Sequence, residues 1–182
     1  MKTSLLAAFA VLVSGAALVG CSTEPKSEGS KVDMRSNVDA TMKRLEGLDP
    51  GLHKLIENSY GYAIFPSVGK GGLIVGGSYG RGEVYEKGKM VGWADISQAT
   101  IGAQIGGQTF AELLLFQNKE SLDNFKYGKL KFAANVSAVA MKSGAADSAK
   151  FNNGVIVFVE PKAGLMLEAA VGGQSFSYQP TN

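Results

Sequence analysis

The sequence predicts an α+β domain: two short N-terminal helices packed on a glycine-rich antiparallel β-sheet or barrel, plus one further short helix. Three observations predict it. Apolar side chains recur with helical spacing between residues 37 and 60, and from Tyr62 onward the period changes to two. Many of the 24 glycines then fall inside the period-two segments, where glycine marks bulges, tight bends or close backbone approach. With 45% hydrophobic and 19% charged residues over 182 positions, the chain is long and apolar enough to bury one core.

The elements follow in order. Val38, Met42 and Leu45 lie on one face of a first helix, with Gly47 as its stop. Asp49-Pro50 then starts a second helix. The carboxylate can accept from free N–H groups, and proline suits the first helical position. Leu52, Leu55 and Ile56 form its apolar face, and Gly61 ends it. Alternating segments follow around Leu73–Tyr79, Ile101–Ile105, Leu130–Ala138 and Leu165–Val171, which read as half-buried strands. Val155 to Val159 is apolar on both faces and reads as a central strand. Leu113 to Phe116 fits a helix or a strand equally. Asn118 can cap a short helix carrying Leu122 and Phe125 and ended by Gly128. Gly-Gly-Gln-Thr-Phe from Gly106 and Gly-Gly-Gln-Ser-Phe from Gly172 form a faint internal repeat.

Residues 1–20 read as a signal rather than as fold. Lys2 precedes an apolar run from Leu5 to Val13 and then small residues, the anatomy of a secretory signal too short to span a membrane. Leu18-Val19-Gly20-Cys21 resembles the lipobox of bacterial lipoproteins. That resemblance implies lipidation of Cys21, the chain's single cysteine, as the first mature residue. It also implies an effectively permanent lipid anchor. In a Gram-negative host, Ser22 in place of an aspartate points to the periplasmic face of the outer membrane. Residues 21–36, rich in Ser, Glu, Lys and Gly, read as a flexible tether with a reach of about 20 Å. Residues 37–182 remain for the domain.

Several function classes find no support. Removing Lys2 with the signal takes one from 18 basic side chains, against 16 acidic ones, so the mature chain lacks the basic excess of a nucleic-acid binder. His53 is the single histidine and has no partner for hydrolysis or zinc binding. A Gly-x-Ser-x-Gly elbow is absent. Gly77-Ser78-Tyr79-Gly80-Arg81-Gly82 lacks the dinucleotide spacing, and Gly82 to Lys89 misses the Walker pattern by one residue. The expectation is therefore a non-enzymatic protein with no cofactor and no metal. Two basic groups remain. The first is Lys31, Arg35, Lys43 and Arg44; the second is Lys119, Lys126, Lys129 and Lys131. Either can meet acidic head groups, at about 1 kcal/mol per basic residue near an anionic surface.

The stretch from Tyr60 to Tyr178 resembles the SYLF domain, found in yeast actin regulators, plant FYVE-finger proteins and bacterial lipoproteins. The matching segments are Tyr62-Ala63-Ile64-Phe65-Pro66, Lys70-Gly71-Gly72, Gly76 to Gly82, Gln104 to Gln108 and Lys162-Ala163-Gly164-Leu165, with Trp93 also fitting. The resemblance implies binding of acidic lipids such as phosphoinositides, and in eukaryotic members actin binding, through a basic amphipathic N-terminal helix. Here the corresponding stretch, Lys31 to Leu45, mixes Asp33 and Asp39 with its basic residues. The expected function is a lipid-anchored envelope protein that binds membrane phospholipid, with Lys31, Arg35, Lys43, Arg44, Lys126, Lys129 and Lys131 as the contacting residues. The alternative is a structural or partner-binding envelope lipoprotein whose anchor is its one lipid contact.

Overall fold

A computed structural model describes residues 23–71, 75–101, 108–130, 138–162 and 173–181. The fold is α+β, and among the described residues there are four helices and one seven-stranded sheet in the order β5-β6-β4-β1-β2-β3-β7. Cys21, Lys131 and most of the strands expected at Leu73–Tyr79, Ile101–Ile105, Leu130–Ala138 and Leu165–Val171 lie wholly or partly outside the described residues.

The chain opens with α1 (Glu28–Leu48), twice the length that its apolar spacing suggested. The stretch from Glu28 to Ser36, expected as tether, is helical. Ser27 starts it with a reciprocal capping box. Its hydroxyl accepts from the Ser30 backbone N–H at 3.1 Å, while the Ser30 hydroxyl accepts from the Ser27 N–H at 3.1 Å. This half of α1 contributes no fully buried side chain, whereas Val38, Thr41 and Leu45 are buried in the second half. Its polar composition therefore reflects solvent exposure rather than disorder. The helix runs past Gly47 to Leu48.

Asp49 links three elements. Its backbone N–H closes α1 on the Leu45 carbonyl at 3.1 Å. One carboxylate oxygen accepts from the Gly51 N–H at 3.1 Å at the start of α2 (Gly51–Glu57). The other accepts from the Ala146 N–H at 2.7 Å in α4 (Ala145–Ser148). A single buried side chain thus anchors two helix starts.

The sheet is antiparallel apart from one pair. β1 (Gly61–Gly71) lies between β2 (Val75–Glu86) and β4 (Gln108–Phe116), and β2 pairs with β3 (Lys89–Ile101). Leu113 to Phe116 is strand. Pro66 sits inside β1 where the register slips against both neighbours, since a bulge tolerates a residue with no N–H to donate. Lys87 and Gly88, both at positive φ, make the two-residue turn into β3. β6 (Val155–Pro161) pairs with β4 and, in parallel, with the short β5 (Ala138–Ala140). β7 (Gln174–Pro180) joins the far edge beside β3. Gln108 and Gln174, the glutamines of the repeated Gly-Gly-Gln motif, open β4 and β7, and the phenylalanines that follow, Phe110 and Phe176, enter the same core.

Both faces of the sheet are covered. Ile64, Tyr85, Leu113, Leu115, Ile156 and Phe158 pack under α1, α2 and α4. Phe65, Val84, Leu114, Phe116 and Val157 pack with Leu122 and Phe125 of α3 (Lys119–Lys126), whose start Asn118 caps. Double coverage explains why Val155 to Val159 is apolar on both faces.

The sheet is coiled so strongly that its edge strand β7 comes over β1 and β4. The Phe176 ring lies 6.1 Å from Phe65, and the Gln174 amide donates to Glu112 on β4 at 2.9 Å. Among the described residues the sheet nevertheless stays open, with β5 and β7 as its edges, so the barrel alternative is not realised. Residues Thr23 to Pro25 follow the β7 edge. The Thr23 and Ser177 hydroxyls are 3.5 Å apart, and Glu24 exchanges two 3.2 Å hydrogen bonds with Gln179.

Candidate functional site

The exposed half of α1 overhangs the ends of β3 and β7 and leaves an open groove of about 900 Å³ beneath it. Helical spacing sets its upper rim. Lys31, Arg35, Asp39 and Lys43 recur every four residues, so one line of charged side chains runs along the groove. The floor is apolar. Trp93, 5% exposed, and Met90 come from β3, and Val32, 67% exposed, adds a free aliphatic surface at the helix edge.

Most of the rim's charge is already compensated. The Lys31 ammonium lies 2.7 Å from Glu24 and 3.0 Å from Glu28, and these partners raise its pKa above the usual lysine value. Arg35 reaches down from α1 to Glu83, with its Nε 2.9 Å from Oε2. Glu83 is fully buried in β2 and also accepts from the Tyr85 hydroxyl at 2.6 Å, while its Oε1 has no hydrogen-bond partner. The Arg35 guanidinium lies 5.8 Å over the Tyr85 ring, which itself stacks on Tyr62 at 4.5 Å. Burial is the main cause that pushes the Tyr62 hydroxyl up to about 12. Trp93 is the cross-strand neighbour of Glu83, so the groove floor and the buried carboxylate are adjacent on one sheet face. Asp39 and Lys43 carry no ion pair among the described residues.

The seven expected lipid-contacting residues therefore separate. Lys31, Arg35 and Lys43 converge on this groove. Arg44 points to the other side of α1 and clasps Glu160 of β6 through two nitrogens, each 2.7 Å from a carboxylate oxygen. That side has a smaller cleft of about 360 Å³, also bordered by Arg81 and Lys162. Lys126 lies on α3, with its ammonium 2.6 Å from Glu86 and 5.6 Å over the Tyr178 ring, and it is mostly covered. Lys129 sits 5.6 Å over the exposed Tyr127 ring, and Lys119 is paired with Asp123 on its own helix. The second basic group is thus a set of local pairs, and Lys131 is outside the described residues.

Sequence reasoning did not anticipate Glu83 or Glu112. Both sit in alternating strands, where the sequence shows a polar residue but not what lies above it. Glu112 is fully buried, and burial alone pushes its carboxyl up to about 8 against the lowering effect of the Gln174 hydrogen bond. His53 is exposed on α2, 3.0 Å from Glu46 and 3.3 Å from Glu57. Its pKa is raised by the hydrogen bond to Glu46 and the charge of Glu57. Among the described residues no group of three or more His, Cys, Asp or Glu side chains could hold a metal ion, and no helix is long and apolar enough to cross a membrane.

No family model matches the chain. It is 28% identical over 149 residues to the beta cell expansion factor A of Aeromonas veronii, a match that covers 81% of this chain and 56% of that protein. The chain is thus a distant relative of a longer protein, of which it matches little more than half.

Proposed function

We propose that the protein is a lipid-anchored, non-enzymatic envelope protein whose SYLF-like domain binds membrane phospholipid in the groove beneath α1. The observation that carries this reading is the pairing of a charged helical rim, Lys31, Arg35, Asp39 and Lys43, with an apolar floor of Trp93 and Met90. A phospholipid has the matching halves, a charged head and an apolar upper chain. The resemblance of Tyr60 to Tyr178 to the SYLF domain supports the same reading, and so does the lipobox at Leu18 to Cys21, which would hold the groove at a membrane. Thr23, two residues after Cys21, is bound to the β7 edge, and Glu24 beside it borders the groove, so a lipid on Cys21 would be joined to the domain next to the groove.

The test is vesicle co-sedimentation of the mature chain carrying Cys21→Ser, since every packing contact described above lies within residues 23–181. Lys43→Gln should weaken binding severalfold, because its ammonium is the rim cation with no ion pair in the described structure. Lys129→Gln, remote from the groove, should leave binding unchanged. Equal binding by all three proteins would remove the groove from the mechanism. One observation favours the partner-binding alternative: Arg44, Lys119 and Lys126, three of the cations expected to meet acidic head groups, are each paired with a carboxylate of this chain. Failure to bind any vesicle would favour that alternative.

A further inference from the structure

The charge inventory of the groove identifies the kind of head group it suits. Three cations border it: Lys31, Arg35 and Lys43. Glu24 and Asp39 border it as well, while Glu28 and Glu83 pair with Lys31 and Arg35 from just outside. Four carboxylates thus face three cations. A polyanionic head group would meet no net positive field here and would need to displace existing ion pairs. The two charges left without an ion pair are of opposite sign, Asp39 and Lys43. They are one helical turn apart, about 6 Å along the axis, above the same apolar floor.

We infer that the groove selects a zwitterionic aminophospholipid, with Lys43 taking the phosphodiester, Asp39 taking the primary ammonium, and Trp93 and Met90 taking the first part of an acyl chain. The inference rests on the lipid-binding reading above and narrows it. An ethanolamine phosphodiester separates its anion and cation by two carbons, a span comparable to one helical turn. A primary ammonium also offers N–H donors to the Asp39 carboxylate, which a trimethylated ammonium cannot do. The apolar floor commits the site to a membrane lipid rather than to the free head group.

The experiment compares binding of the mature chain bearing Cys21→Ser to phosphatidylcholine vesicles doped with phosphatidylethanolamine or, at the same fraction, with phosphatidylglycerol. The expected result is tighter binding to the ethanolamine vesicles, with little salt dependence. Asp39→Asn should lower the ethanolamine-over-glycerol preference about fivefold, and Lys43→Gln should weaken binding to both. Asp39 is exposed, so thermal melting is expected to show both variants folded. A preference for the glycerol vesicles, or a preference unchanged in Asp39→Asn, overturns the inference and leaves lipid binding standing. Displacement by millimolar soluble phosphoethanolamine would overturn the commitment to a membrane lipid. No binding to any vesicle overturns the lipid-binding reading itself.

Discussion

Among the described residues Glu112 has no ion pair to offset its burial, and its Oε1 has no hydrogen-bond partner. Its side chain lies inside the coiled sheet, and burial raises its pKa to about 8. A folded-state pKa above the unfolded value means that stability is fully present below about pH 4.3 and falls as pH rises towards 8. The loss is about 1.4 kcal/mol per pH unit across that window. Glu112→Gln removes the titration. Denaturant melts at pH 5, 7 and 8.5 should show the variant gaining on the parent as pH rises, and parallel pH profiles would show that Glu112 does not titrate there. Gly82 presents the opposite problem, a side chain that cannot be added. A Cβ there would fall against the Ile64 carbonyl oxygen and the Phe65 ring, where β2 runs close to the β1 bulge. Gly82→Ala should cost about 1–3 kcal/mol, read as a lowered denaturant midpoint. The density of glycine in Gly76 to Gly82 is legible in the sequence, and the segment lies within β2. Which neighbour forbids the Cβ is not legible, because Ile64 is eighteen positions away.

At the scale of elements, the helix starts carry much of the local information. Ser27, Asp49 and Asn118 all cap helices, and the last two stand out in the sequence for the apolar periodicity that follows them. Ser27 does not, because the first turns of α1 bury nothing and have no periodicity to reveal them. That is why a helix reads as a tether. Asp49 also accepts from Ala146, 97 positions on, a bond that no local pattern announces. Asp49→Ala should therefore cost more than a single cap, about 1–4 kcal/mol for two helix starts. Loss of helix signal should be accompanied by faster amide exchange in both α2 and α4. Exchange faster in α2 alone would show that the Ala146 bond contributes nothing.

Across the whole molecule, the proposed anchor at Cys21 would act through the N-terminal segment. The N-terminal segment is pinned along β7, so a lipidated Cys21 would hold the domain flush rather than on a long leash. Cys21→Ser in the full chain should shift the protein from the membrane fraction to the soluble or uncleaved pool. Mass spectrometry of the parent should find an acylated N-terminus at Cys21, and an unmodified N-terminus elsewhere would end the lipoprotein reading. The α+β class, the caps at Asp49 and Asn118 and the presence of basic residues near the N-terminus are legible in the amino-acid order. All of these are encoded within a few residues of one another. Which cations are paired depends on the folded chain. Arg35 meets Glu83, Arg44 meets Glu160 and Lys126 meets Glu86 across 40 to 116 positions of sequence. A charge's electrostatic surroundings depend on what the coiled sheet brings beside it, and chain spacing carries no record of that.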